Sequence, residues 1–149
     1  MSKPIRIAVI DPHPMFRQGV IRTIARSDGM SLVGEGTTEA DARRLASEKR
    51  PDVLVLDIAI SGGREVVAEL GRRNIKCVVL TTLDDVLSVS NTLAAGAIGY
   101  VLKGVSGRGL IDALKSVHSD NPMSRPSSPF ACWSAARWCP NATQKYWPD

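Results

Sequence analysis

The sequence lacks the features that mark secreted, membrane-spanning and metal-thiolate proteins. Its three cysteines do not form a disulfide framework, because Cys77 lies in an apolar run while Cys132 and Cys139 lie near the C-terminus. The only two histidines, His13 and His118, show no metal-ligand spacing. No apolar run is long enough to cross a bilayer, and the N-terminus has no signal-peptide pattern. We therefore expect a cytoplasmic protein that has no membrane partner.

Aromatic residues are also scarce, at 5% of the chain, whereas 44% of the residues are hydrophobic. This balance is typical of an α/β protein with an aliphatic core and argues against disorder. The net charge of +4 comes from Lys and Arg residues that are interleaved with acidic ones. Such mixing indicates a solvated surface rather than a patch that binds nucleic acid.

Short apolar runs alternate with amphipathic segments five times. The runs predict strands at Ile5–Ile10, Ser31–Gly36, Asp52–Leu56, Lys76–Leu80 and Ile98–Leu102. The segments between and after them predict helices at Pro14–Ala25, Glu39–Lys49, Arg64–Arg72, Val86–Ala95 and Gly107–His118. Strands that are apolar on both faces and separated by helices indicate a parallel sheet covered on both sides. The pattern predicts a flavodoxin-like, doubly wound, five-stranded sheet of order 2-1-3-4-5 over residues 1–118.

The composition changes after His118. Residues 119–149 contain all three tryptophans and five of the nine prolines, without sustained periodicity. We interpret this segment as an irregular tail outside the domain.

Four polar residues follow the predicted strands directly: Asp11, Asp57, Thr81 and Lys103. In an open parallel α/β sheet, ligands bind beyond the carboxyl ends of the strands, so these side chains are expected to meet at one edge. Each alone is weak evidence, since a strand-end Asp is often only a turn or cap residue. Together they fit phosphoryl transfer to a carboxylate. Asp57 would be the nucleophile, Lys103 and the Thr81 hydroxyl would bind phosphoryl oxygens, and Mg²⁺ would bind Asp57 and Asp11.

Several motifs resemble the receiver domains of NarL/LuxR-type response regulators, which are CheY-like. They are Ile5-Arg-Ile-Ala-Val-Ile-Asp-Pro-His-Pro-Met-Phe-Arg-Gln-Gly, Val53-Leu-Val-Leu-Asp57, Val78-Val-Leu-Thr81 and Gly96-Ala-Ile-Gly-Tyr-Val-Leu-Lys103-Gly-Val-Ser-Gly. The resemblance covers about residues 4 to 118 and implies a phosphorylation switch rather than an enzyme. It implies a sensor histidine kinase as partner and phosphorylation at Asp57. It also implies a switch in which Thr81 and Tyr100 move, and a homodimer or partner face around Val86–Ala95.

The chain departs from the family pattern at the metal site. The family has two adjacent acids after its first strand, but here Asp11 is followed by Pro12. Proline has no side-chain oxygen, although it is well tolerated in the first turn of a helix. The backbone carbonyl of Ala59 would still be available to the metal. We therefore expect weak Mg²⁺ binding, and we interpret His13 as structural.

The family also carries a helix-turn-helix DNA-binding domain after a linker, and residues 119–149 show no such pattern. Codons for Met123–Pro148 read one base earlier can encode Y-V-S-P-E-L-A-F-R-L-L-E-R-G-A-V-V-P-K-R-D-A-E-I-L-A-R, which is similar to the family linker. We expect a frameshift near Pro122, with DNA contacted only through a domain absent from this chain.

Two alternatives remain. The first is a phosphorylation-independent receiver that acts as a dimerisation or protein-interaction module, which Pro12 favours. The second is a flavodoxin-like enzyme that binds a nucleotide or flavin. No Gly-rich phosphate loop follows the first strand, which counts against the enzyme.

Overall fold

Strands and helices alternate around one central sheet in the computed structural model, which describes residues 3–81, 95–119 and 131–133. The strands are β1 (Ile5–Ile10), β2 (Met30–Gly36), β3 (Val53–Asp57), β4 (Lys76–Thr81), β5 (Gly99–Leu102) and β6 (Ala131–Trp133). The helices are α1 (Pro14–Ala25), α2 (Glu39–Glu48), α3 (Gly63–Arg72) and α4 (Gly107–Ser119). The helix predicted at Val86–Ala95 falls, except for its last residue, outside the described residues. None of the four described helices combines the length and apolar character needed to cross a bilayer.

The first five strands are parallel and lie in the order β2-β1-β3-β4-β5, which confirms the predicted topology. The central strand β3 is buried along its whole length. Its sequence has to be apolar on both faces because helices cover the sheet from both sides. The doubly wound arrangement therefore follows from the continuous apolar runs in the sequence.

Two apolar clusters hold the helices to the sheet. Alternate residues of each strand point to opposite faces, so Ala8 joins one cluster and Ile7 joins the other. The first cluster includes Leu45 of α2 and Leu70 of α3, and the second includes Leu114 of α4. The burial of these side chains is the main source of stability and keeps the strand ends in a constant relative position.

The sixth strand departs from the interpretation of residues 119–149 as irregular. Ala131–Trp133 pairs antiparallel with β5, opposite Gly99, Tyr100 and Val101. An edge strand presents unpaired backbone N–H and C=O groups, and an extended segment of the same chain can satisfy them. Composition and periodicity do not reveal such pairing, because it depends on the free edge rather than on the sequence of the segment.

Local residues determine where the helices next to the strand ends begin. Pro14 stands in the first turn of α1, where its missing N–H costs no hydrogen bond. Gly62 precedes α3 with a φ of 74°, a left-handed conformation that glycine adopts without steric cost. A Cβ at Gly62 would also collide with the Glu39 carboxylate. These starts place the loops after β1 and β3 at the same edge of the sheet.

Candidate functional site at the carboxyl edge of the sheet

The strand register brings the four predicted site residues to one edge. Ile10 lies opposite Leu56, so Asp11 and Asp57, the next residues, come side by side. On the other side of β3, Asp57 lies opposite Leu80 of β4, and Thr81 lies opposite Leu102 of β5. Lys103 follows Leu102 directly, and its backbone N–H donates to the Thr81 carbonyl at 2.9 Å. The carboxyl ends of β1, β3, β4 and β5 therefore form a single polar site.

Both carboxylates of this site are almost fully buried, with Asp11 at 0% and Asp57 at 2% exposure. A buried charge is costly unless it is paired and hydrogen-bonded. Each carboxylate accepts a backbone hydrogen bond: Asp57 Oδ1 from the Ala59 N–H, and Asp11 Oδ1 from the His13 N–H, both at 2.8 Å. These bonds hold the loop after each strand against its own carboxylate.

Lys103 supplies the positive charge between the two acids. Its Nζ lies 2.8 Å from Asp57 Oδ2 and 2.9 Å from Asp11 Oδ2, and its side chain is only 8% exposed. The ammonium also sits 4.7 Å from the centre of the Phe16 ring, within the range of a cation–π contact. The ring and the two carboxylates together fix the position of the ammonium at the site.

His13 belongs to this site, whereas from the sequence we interpreted it as a structural residue. Its Nδ1 lies 2.8 Å from Lys103 Nζ, 3.0 Å from Asp11 Oδ1 and 3.3 Å from Asp57 Oδ2. His13 is part of the first motif that resembles the family, but a lone histidine is more often packed or capped than functional, which led to the structural interpretation. The one local signal was its position two residues after Asp11, where a short loop can turn the imidazole back to the strand end.

The other predicted residues occupy different positions around the site. Thr81 is buried at the last position of β4. Tyr100 is buried in β5 and packs in the apolar cluster that includes Leu45 and Leu70. Ala59 is exposed, and its N–H faces Asp57. The proposed face around Val86–Ala95 lies outside the described residues except for Ala95.

The donor set is compatible with a divalent cation. Asp11 Oδ2 is buried and accepts no hydrogen bond, so its contact with Lys103 is ionic only. Ligand atoms of Asp11, His13 and Asp57 all lie within 4.8 Å of one another. Two carboxylates at one point are typical of oxygen-ligated ions such as Mg²⁺. Pro12 adds no side-chain oxygen, so among the described residues the group of side chains that could bind a metal here is Asp11, His13 and Asp57.

Comparison with known proteins agrees with this arrangement. Residues 7–115 match the family model described as "Response regulator receiver domain". The chain is 32% identical over 117 residues to the response regulator GacA of Pseudomonas aeruginosa, covering 76% of this chain and 55% of GacA. It is 36% identical to the transcriptional regulatory protein DegU of Brevibacillus brevis, covering 76% of this chain and 50% of DegU. The chain thus spans about half the length of the curated relatives it matches.

A solved structure shows the same fold. The signal receiver domain of the putative response regulator NarL from Mycobacterium tuberculosis superposes with a TM-score of 0.77 at 28% identity. The match covers 80% of this chain and 100% of that domain. The family match covers the part of the chain that builds the polar edge. The chain belongs to the response regulator receiver domain family, and within it to the NarL/LuxR kind.

Proposed function

We propose that this receiver accepts a phosphoryl group on Asp57 from a sensor histidine kinase and thereby switches a surface that controls transcription. The observation that carries the proposal is the contact between the Asp57 carboxylate and the Lys103 ammonium at 2.8 Å. A carboxylate nucleophile needs a nearby positive charge, because the incoming phosphoryl group is itself anionic. Receiver domains of response regulators are signalling modules, and this site has the charges that such a transfer requires.

The two oxygens of Asp57 are in different environments. Oδ1 accepts the Ala59 N–H, whereas Oδ2 contacts Lys103 and His13. In the proposed reaction an Asp57 oxygen forms a bond to phosphorus while the phosphorus–nitrogen bond to the kinase imidazole breaks. Lys103 then pairs with a phosphoryl oxygen, and the Thr81 hydroxyl donates to another.

Asp11, Asp57 and the backbone carbonyl of Ala59 would hold Mg²⁺, which supplies charge neutralisation at the phosphoryl group. Asp11 Oδ2 supports this role because it is buried without a hydrogen bond. Pro12 stands where the family has a second acid, so we propose that Mg²⁺ binds weakly.

We further propose that Thr81 and Tyr100 form the switch. Thr81 is the last residue of β4, and Tyr100 lies on the neighbouring strand opposite Val79. A movement of Thr81 toward a phosphoryl group would open space next to Tyr100 and alter the surface around residues 86–95. That surface would support a homodimer, and DNA would be contacted through a separate helix-turn-helix domain.

Labelling of Asp57 tests the proposal. Incubation with acetyl phosphate and Mg²⁺ should add one phosphoryl group, detected by intact mass. The Asp57→Asn variant should show no addition, since the amide is not a nucleophile of comparable strength. The matched control is Asp52→Asn, which changes an exposed acid and should label normally. If Asp57→Asn is labelled as much as the wild type, Asp57 is not the acceptor.

One observation favours a second function. Lys103 contacts both carboxylates, and Pro12 adds no third acid, so without metal or phosphoryl group the site carries less uncompensated negative charge than a site with three acids. Such a receiver could work as a phosphorylation-independent dimerisation or interaction module. If the folded protein shows no Mg²⁺ binding by calorimetry and no labelling of Asp57, this function replaces the first.

A further inference from the structure

His13 gives this site a nitrogen donor in addition to its oxygens. Its Nδ1 lies 3.0 Å from Asp11 Oδ1 and 3.3 Å from Asp57 Oδ2. Cis ligands of an octahedral ion with bonds of about 2.1 Å lie about 3 Å apart. Ligand atoms of all three side chains lie within 4.8 Å of one another, which is close enough for them to bind one ion.

The Lys103 ammonium marks where a cation sits among these donors. Its Nζ lies 2.8 Å from Asp57 Oδ2, 2.9 Å from Asp11 Oδ2 and 2.8 Å from His13 Nδ1. An ammonium carries three N–H donors and no acceptor, so the side chains of Asp11, His13 and Asp57 converge on one positive charge. Asp11 Oδ2, on a residue with 0% exposure, accepts no hydrogen bond even from this ammonium. A metal ion bound here would share the pairing of this buried oxygen, which now rests on its ion pair with Lys103.

We propose that His13 is a metal ligand in this receiver, in place of the acid that Pro12 cannot supply, and that the site prefers a divalent transition ion such as Mn²⁺ to Mg²⁺. The inference rests on the proposed function, because it concerns the metal at the phosphoacceptor site. Mg²⁺ takes oxygen ligands almost exclusively, whereas imidazole is a ligand of first-row transition ions. Mn²⁺ accepts carboxylates as readily as Mg²⁺ does and also binds imidazole.

The exposure of His13 is compatible with this role. Its side chain is 60% exposed, whereas those of Asp11 and Asp57 are buried, so the imidazole lies on the solvent side of the two acids. An ion approaching from solvent would meet the imidazole first and would retain water on its open side. Replacing His13 removes few packing contacts, so variants should fold.

The first test compares Mn²⁺ and Mg²⁺ binding in the full chain. Free Mn²⁺ is measured by electron paramagnetic resonance during titration, and Mg²⁺ is measured by competition. His13→Phe keeps a planar ring but has no nitrogen, and His118→Phe is the matched control at the exposed end of α4. The Mn²⁺ affinity should fall at least about tenfold in His13→Phe, as expected for the loss of a metal-site group. Mg²⁺ affinity should change less than about threefold, and His118→Phe should leave both affinities unchanged.

The second test needs no variant to fold. Pulsed paramagnetic resonance of Mn²⁺ bound to the wild type should show coupling to an imidazole ¹⁴N nucleus. Equal Mn²⁺ affinities in the wild type and His13→Phe, or bound Mn²⁺ without nitrogen coupling, would overturn the inference.

Labelling of Asp57 by acetyl phosphate separates this inference from the proposed function. Labelling without nitrogen coupling means that only the inference fails, whereas nitrogen coupling without labelling in either metal means that only the proposed function fails.

Discussion

Pro12 is the residue at which the sequence departs from the two adjacent acids that the family resemblance leads us to expect. It follows Asp11, whose carboxylate is buried between Lys103 and His13. Proline is compatible with the start of α1 two residues later, so the substitution costs the fold little. At the proposed metal site, Pro12 supplies neither the negative charge nor the side-chain oxygens of an acid.

Restoring the acid should strengthen Mg²⁺ binding. The Pro12→Asp variant adds charge and oxygen ligands next to Asp11 and Asp57, so its Mg²⁺ affinity should rise about tenfold, equivalent to about 1.4 kcal/mol. Calorimetric titration measures this change, and the rate of Asp57 labelling by acetyl phosphate should rise with it. If the wild type already binds Mg²⁺ as tightly as Pro12→Asp, the proline is merely a tolerated helix-start residue.

Cys77 shows the effect of burial on a single thiol. It lies in β4 with 1% exposure, and burial raises the pKa of its thiol to about 12. Thiolate, not thiol, is the nucleophile, so Cys77 should be inert to alkylating reagents in the native protein at pH 8. In a Cys132→Ser, Cys139→Ser background, mass spectrometry should find no label until denaturant is added. Labelling at the rate of a free thiol would show that β4 opens easily.

Helix α2 has a complete capping box at its N-terminus. Thr38 Oγ1 accepts the Asp41 N–H, while Asp41 Oδ2 accepts the backbone N–H groups of Thr37 and Thr38. The carboxylate also lies in the first turn, where the helix dipole favours negative charge. Thr38→Ala should therefore lower the free energy of unfolding by about 1 kcal/mol, measured by urea denaturation. An unchanged midpoint would mean that water replaces the cap.

The same cap predicts a pH dependence. The hydrogen bond from the Thr37 N–H, followed by those from Thr38, holds the pKa of the Asp41 carboxyl below its ordinary value of 3.8. A carboxyl with a lowered folded-state pKa contributes stability above its unfolded pKa and loses that contribution as pH falls through the folded pKa. Asp41→Asn should thus be less stable than the wild type at pH 7, and the difference should shrink below pH 3.8. A difference that is the same at pH 7 and pH 2.5 would exclude the ionised cap as its source.

For the whole molecule, the two apolar clusters determine which part of the chain is needed for folding. Among the described residues, both clusters are built between Ile7 and Val117. Deletion of residues 120–149 should therefore shift the thermal midpoint by less than about 4 °C, the shift that corresponds to about 1 kcal/mol. Deletion from residue 107 onward, which also removes Leu110 and Leu114, should prevent folding. A large shift on the shorter deletion would show that β6 stabilises the edge of the sheet substantially.

Much of the fold could be predicted from local patterns. β1 and α1 begin and end at the predicted residues, and the other described predicted elements differ by one residue at one or both ends. The periodicity of apolar residues predicts whether a segment is a strand or a helix, because each must bury one face where it packs. The site at the strand ends could also be predicted, because the carboxyl ends of parallel strands lie at one edge of the sheet.

The sequence by itself determined the parallel sheet and the four polar residues at its edge, because those depend on residue type at regular spacing. Only the tertiary structure decided that His13 joins them, since its closest cation, Lys103, is 90 residues away along the chain. The pairing of β6 with β5 is likewise a long-range contact. It depends on unpaired backbone groups at the sheet edge rather than on the side chains of the segment. The pattern of apolar residues along a chain shows which face of each strand or helix is buried. Contacts between distant loops depend instead on how those strands and helices pack together.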